Sequence, residues 1–150
     1  MTTLQKGDQA PNFSGKDQDG NIHTLADYKG KKLVVFFYPK ADTPGCTAEA
    51  CDLRDNFERF SANNYALLGV SADSAKAQSK FKTKYDFPFP LLADEDKSVI
   101  EAFGVWGPKK FMGREYDGIH RTTFVINEEG VIEEVIAAVK TKEHASQILK

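Results

Sequence analysis

Cys46 and Cys51 are the only cysteines in the chain, and they follow the stretch Pro39-Lys40-Ala41-Asp42-Thr43-Pro44-Gly45. A cysteine reacts or binds metal as its thiolate, a minor species for an ordinary thiol at neutral pH, so such chemistry needs positive potential at the sulfur. Thr43 suits a helix N-cap, and Pro44 suits the first helical position, where a missing N–H costs nothing. Cys46 then falls in the first turn, near the positive end of a helix, which is worth up to about 2 kcal/mol to a negative group. An arginine from elsewhere in the chain would supply the rest. The plainer alternative is that Cys46 is a small buried hydrophobe. Metal binding is not expected, because residues five apart on a helix point about 140° away from each other. His23, His120 and His144 add no ligand spacing to either cysteine.

Several elements must position that stretch. Residues 32–38, with Leu33-Val34-Val35-Phe36-Phe37 inside, form an unbroken apolar run that predicts a strand covered on both faces. After the loop, Ala50, Leu53, Phe57 and Phe60 recur at helical spacing, with Cys46 beginning the same stripe, and predict one helix ending near Phe60. Cys51 lies off that stripe, beside Arg54, Asp55 and Glu58. Asn63-Asn64 ends the helix, and residues 65–71 predict a second buried strand. Asp73 or Ser74 can cap a helix to about Tyr85, stopped by Pro88 and Pro90. Leu91-Leu92 is a short strand, and Asp96 is the expected cap of a helix over 97–103 closed by Gly104.

Residues 105–118 show no periodicity and predict a loop with a short strand, in which Trp106 and Met112 pack. Residues 121–126 and 131–137 predict a hairpin turning at Asn127-Glu128-Glu129-Gly130, with Arg121 at its start and His120 facing the other way. A final helix is expected from Thr141 or Lys142 to Ile148. Upstream, residues 10–13 are extended, 17–21 turn between two short strands, and 24–28 make one helical turn. His23 and His144 have no partner pattern and are expected at the surface. Alternating helices and strands indicate an α/β layered fold with a central mixed sheet, built as a single domain over residues 1–150.

Composition narrows the function. With 150 residues, 41% of them hydrophobic and eleven phenylalanines among them, the chain can bury a substantial core. Twenty lysines and arginines nearly balance 22 aspartates and glutamates, so no overall field favours nucleic acid or an anionic membrane. Short basic pairs such as Lys31-Lys32 and Lys109-Lys110 read as solvated. The N-terminal residues lack an apolar signal core, and no apolar stretch approaches the roughly 20 residues that span a bilayer. The expectation is a cytoplasmic protein, where structural disulfides are rare and paired cysteines suggest redox or metal chemistry.

The sequence resembles the peroxiredoxins, in particular their bacterioferritin comigratory protein or Q-type branch. Pro39, Thr43, Cys46, Glu49 and Cys51 carry the resemblance, with Gly104-Val105-Trp106, Phe111-Met112-Gly113 and Gly118-Ile119-His120-Arg121-Thr122-Thr123-Phe124-Val125-Ile126, so it covers almost the whole chain. It implies a thioredoxin-like fold, with the first extended residues and residues 74–85 as additions. It also implies a thiol peroxidase acting on hydrogen peroxide and alkyl hydroperoxides, with Cys46 as nucleophile. Thr43 and the first-turn N–H groups would offer donors to the peroxide, and Pro39 would close the loop against water. Arg121 would lie beside the thiolate, oriented by Glu49. Cys46 would become a sulfenic acid and condense with Cys51, and thioredoxin or a similar dithiol protein would reduce that disulfide. The resemblance implies no metal, haem or flavin, and a monomer rather than a dimer. Two other readings stay open from the residues alone. One is a disulfide oxidoreductase, although those proteins show Cys-x-x-Cys and here four residues intervene. The other is a non-enzymatic binding or chaperone module.

Overall fold

The run Leu33-Val34-Val35-Phe36-Phe37 has no polar side to offer water, and all five residues are buried. Their side chains alternate between two separate apolar clusters: Leu33, Val35 and Phe37 join one, Val34 and Phe36 the other. This strand is the middle of the molecule.

The computed structural model describes residues 2–149. Strands β1 (Ser14–Lys16) and β2 (Ile22–Thr24) pair as a small hairpin, and a 3₁₀ turn (Leu25–Tyr28) leads to β3 (Lys32–Phe37). Then come α1 (Pro44–Asp55), α2 (Phe57–Ala62), β4 (Tyr65–Ser71), α3 (Ala75–Tyr85), β5 (Leu91–Ala93) and α4 (Ser98–Ala102). The chain ends with β6 (Trp106–Phe111), β7 (Arg114–Ile119), β8 (Thr122–Ile126), β9 (Ile132–Ile136) and α5 (His144–Ile148). Five strands form the central sheet in the order β5-β4-β3-β8-β9, with β3, β4 and β5 parallel and β8 and β9 antiparallel to their neighbours. The expected mixed sheet between helices is therefore present.

Helices α1, α2, α3 and α5 cover one face through Cys46, Ala50, Leu53, Phe60, Phe81, Ala145 and Ile148. The N-terminal segment and α4 cover the other through Ala10, Phe13, Val99, Ile100 and Phe103. Gly69 in β4 is required by this packing, because a Cβ there would lie 2.7 Å from Leu91 and 2.8 Å from the Phe36 ring.

Five expectations need correction. The helix after the cysteine loop is not continuous to Phe60; it breaks at Asn56, whose side-chain N–H donates back to the Asp52 carbonyl. Residues 105–118 are not a loop with one short strand but the β6–β7 hairpin, turned by Met112 and Gly113 at positive φ. Most of its residues are exposed, so no burial alternation betrays it in the sequence. Met112 does not pack but is 87% exposed, whereas Trp106 packs partly against the core. The helix over 97–103 shortens to α4; Asp96 accepts from the Ser98 N–H at 3.1 Å as a cap should, and the buried Asp94 carboxylate adds to it by accepting from the N–H groups of Val99 and Ile100. The final helix starts at His144, later than Thr141 or Lys142.

Candidate active site

The chain leaves β3 through Tyr38 and Pro39, and the loop that follows is pinned to α3 and to the end of β4. Asp73 accepts from the Ala41 N–H at 2.7 Å and from the Ser71 hydroxyl at 2.6 Å. Asp42, at φ +58°, accepts from Lys84 Nζ at 2.9 Å and Tyr85 OH at 2.8 Å. Thr43 occupies the N-cap position and Pro44 begins α1, as the sequence predicts. The Thr43 hydroxyl does not cap, however; it donates to the Lys40 carbonyl at 2.8 Å. The first-turn N–H groups of Gly45 and Cys46 consequently lack an intrahelical acceptor. Cys46 sits among them, 2% exposed.

Sheet register delivers the cation. Phe37 pairs with Thr122, so Arg121 comes level with the end of β3 where the loop departs. Strand alternation puts Arg121 on the face of Thr123 and Val125, the face that α1 covers. There its Nη2 donates to Cys46 Sγ at 3.2 Å and its Nη1 to Glu49 Oε1 at 2.7 Å. Burial opposes the guanidinium charge, but Cys46 and Glu49 outweigh it and hold the Arg121 pKa above its ordinary value. Gly45 makes room for this contact, since a Cβ there would lie 3.2 Å from Arg121 Nη2. Sequence reasoning missed that role, which is visible only once Arg121 is placed.

Glu49 is fully buried, and burial pushes its pKa up to about 7 against the pull of Arg121. The folded state therefore keeps a proton that an unfolded glutamate releases near pH 4.5, and stability falls as pH rises from about 4.5 to about 7. Glu49→Gln is expected to remove that loss. Its stability relative to wild type, measured by urea unfolding at several pH values, should improve across this window by on the order of 3 kcal/mol. A constant difference would show that Glu49 stays ionised in the fold.

His144 was expected at the surface, but it is fully buried beside Glu49. Its Nε2 is 2.7 Å from the Thr123 hydroxyl and 3.5 Å from Glu49 Oε2, and its Nδ1 is 2.7 Å from Gln147 Oε1. The signal available was its position four before Ile148, on the one apolar face of a short helix. His23 is likewise partly buried, held by Asp17 and Tyr28 at 2.7 Å each. His120 bonds the Pro108 carbonyl at 3.0 Å, in keeping with a structural role. Lys109 is not simply solvated: its Nζ donates to the Ile119 carbonyl, and burial lowers its pKa.

Cys51 lies one and a half turns along α1, partly buried against the helix-side cluster. Burial first, then Asp55, raises its thiol pKa despite Arg54. Both cysteines are free thiols. Pro39 is partly buried at the loop entrance. The structure thus brings Cys46, Arg121 and Glu49 into one bonded cluster at the start of α1, leaving Cys51 outside it. Among the described residues, no group of three or more His, Cys, Asp or Glu could hold a metal ion, and no helix is long and apolar enough to cross a membrane.

Comparison with known proteins agrees with this geometry. The AhpC/TSA family model matches residues 6–135. Peroxiredoxin Bcp of Escherichia coli K12 is 48% identical over 149 residues, covering 99% of this chain and 96% of that protein. A peroxiredoxin Q structure from Xylella fastidiosa superposes with a TM-score of 0.92 at 33% identity, covering 99% of this chain and 95% of that one. The Xanthomonas campestris bacterioferritin comigratory protein, studied for alkyl peroxide reduction in trapped intermediate and ligand complexes, gives 0.88 at 34% identity with 99% and 95% coverage. The fold is thioredoxin-like, and the chain belongs to the AhpC/TSA family, among the peroxiredoxins of the Bcp and Q type.

Proposed function

We propose that this peroxiredoxin reduces hydrogen peroxide and alkyl hydroperoxides with Cys46 as the peroxidatic nucleophile and Cys51 as the resolving thiol. The observation that carries the reading is the 3.2 Å contact from Arg121 Nη2 to Cys46 Sγ at a helix start with free N–H groups. The sulfur attacks one peroxide oxygen; an S–O bond forms, the O–O bond breaks, and the departing oxygen leaves with the electron pair and takes a proton. Charge moves from sulfur to that oxygen, so the groups that hold the thiolate also stabilise the transition state.

Arg121 serves both, and Glu49 fixes its orientation. Thr43 keeps acceptor capacity on its oxygen and can turn its hydroxyl from the Lys40 carbonyl to the peroxide. Pro39 shields the loop entrance from water. The Cys51 thiolate attacks the sulfur of the resulting Cys46 sulfenic acid; the S–S bond forms, the S–O bond breaks, and the hydroxide leaves as water by taking up the proton that Cys51 released. Thioredoxin or a similar dithiol protein then supplies two electrons and restores both thiols. The alkyl peroxide chemistry of the Xanthomonas relative supports the wider substrate range. In this reading residues 1–150 act as one domain in the cytoplasm, and a monomer suffices for the chemistry, since one chain supplies Cys46, Arg121, Glu49 and Cys51.

The test is stoichiometric. Reduced protein should consume one equivalent of hydrogen peroxide per chain rapidly, then turn over when thioredoxin, its reductase and NADPH are added. Cys51→Ser should retain the first reaction and lose thioredoxin-supported turnover, while Cys46→Ser should lose both. A Cys51→Ser protein that still turns over normally with thioredoxin would remove Cys51 from the cycle. Peroxide consumption unaffected by Cys46→Ser would reject the proposal.

A further inference from the structure

Glu49 has one oxygen that nothing holds. Oε1 takes the Arg121 bond, but Oε2 is buried, makes no hydrogen bond, and faces His144 Nε2 at 3.5 Å. Both side chains are closed off from solvent. The protonation of His144 can be read from its other edge. Gln147 Nε2 donates to the Ala138 carbonyl and Gln147 Oε1 accepts from the Lys140 N–H, so the atom facing His144 Nδ1 is an acceptor. Nδ1 must then carry a hydrogen, and in the neutral ring Nε2 accepts from the Thr123 hydroxyl. Neutral His144 is thus satisfied, while an ionised Glu49 points its second oxygen at a lone pair. A proton on Oε2, or one on Nε2 with the Thr123 hydroxyl turned to accept it, removes that opposition of lone pairs.

We propose that the Glu49–His144 pair is an internal proton site, and that His144 is a positioning residue whose share of that proton cancels the Glu49 charge and frees Arg121 to hold the Cys46 sulfur as thiolate. The inference rests on the peroxidatic reading of Cys46. Without the proton, Arg121 and Glu49 neutralise each other, and an ionised Cys46 would leave the buried cluster net negative. With it, the cluster carries one positive charge that the thiolate returns to zero. When the Cys46 S–H bond breaks, its electron pair stays on sulfur and one proton is taken up by the pair, so no other reagent is needed. The groups facing the pair are Arg121 before β8, Asp52 on α1, Glu134 on β9 and Gln147 on α5. Arg121 works against the extra proton, whereas Asp52 and Glu134 favour it. Burial raises the Glu49 pKa to about 7 and lowers that of His144, which reverses their ordinary order and favours Glu49 as the carrier of the shared proton.

His144→Gln tests this, because an amide can keep partners on Thr123 and Gln147 but binds no proton, and its N–H donors would fix Glu49 as a carboxylate. The pH profile of the reaction of reduced protein with hydrogen peroxide should move up by about one unit, a roughly tenfold lower rate on the rising limb. An unchanged profile with a lower melting temperature would mean that His144 only anchors α5. If that variant does not fold, histidine nitrogen NMR on the reduced wild type and on Cys46→Ser decides. By linkage the thiolate must raise the pH at which the His144 ring or its Glu49 partner releases the shared proton, and identical titration in the two proteins would overturn the proposal. This comparison stands even if the wild type fails to react with peroxide, an outcome that would reject the peroxidatic reading instead.

Discussion

Arg121→Lys should slow the reaction of Cys46 with hydrogen peroxide by about 10²- to 10³-fold, the usual cost of removing one preorganised donor from a developing anion. The guanidinium uses two prongs at once, Nη2 on Cys46 Sγ at 3.2 Å and Nη1 on Glu49 Oε1 at 2.7 Å. Lysine has a single ammonium group on a shorter reach and cannot span both partners. An ammonium that settles on Glu49 leaves the sulfur without its donor, and one that settles on the sulfur leaves Glu49 unpaired. Formal charge is conserved by this change, so a large loss would be attributable to geometry. Single-turnover peroxide consumption, with circular dichroism to confirm folding, provides the measurement. A rate within about threefold of wild type, a difference of less than about 1 kcal/mol in barrier, would exclude the fork as the source of activation.

How much of this site can be read in the sequence depends on whether its parts are local. Thr43, Pro44 and Cys46 are legible because helix-start chemistry is written within a few residues, and the β3 run and the turn at residues 127–130 are equally self-contained. Arg121 is legible only as a charge at a strand start; its meeting with Cys46 needs the β3–β8 register, which no local pattern encodes. His144 and Gly45 were missed because their significance lies wholly in what the tertiary fold sets beside them. Asp96 is legible as a cap, whereas Asp94, two residues earlier, gains its part only because the fold buries its carboxylate against the start of α4. The β6–β7 hairpin fails for a different reason: exposed on both faces, it shows no alternation, and its turn uses Met112 in a conformation that favours glycine or asparagine.

Forming the Cys46–Cys51 disulfide should unwind α1 between Cys46 and Asp52 and loosen α5 with it. Both cysteines lie within one regular helix, where residues five apart have Cα atoms about 8.7 Å from each other, whereas a disulfide needs less than about 7 Å. The helix cannot close the bond intact. Its flanks are held, at one end by the Asp73 and Asp42 contacts of the loop, at the other by Leu53 in the core and by Arg54 donating to the Tyr85 carbonyl at 2.7 Å. Unwinding is therefore confined to the residues between. Those residues include two polar contacts of α5: Asp52 accepts from the Ala145 N–H at 2.7 Å, and Glu49 faces His144. Once they move, α5 keeps the apolar contacts of Ala145 and Ile148, the His144–Thr123 hydrogen bond to β8 and the Gln147 bonds to Ala138 and Lys140. Hydrogen exchange should show slow amides over residues 46–53 in the reduced protein and much faster ones in the disulfide form. A smaller increase is expected over residues 145–149, with β3, β4 and β8 unchanged. Equal protection of α1 in both forms, with the Cys46–Cys51 bond confirmed by peptide mapping, would refute the unwinding. Fast exchange in α1 with α5 unaltered would show that the contacts of α5 outside α1 suffice to hold the C-terminal helix.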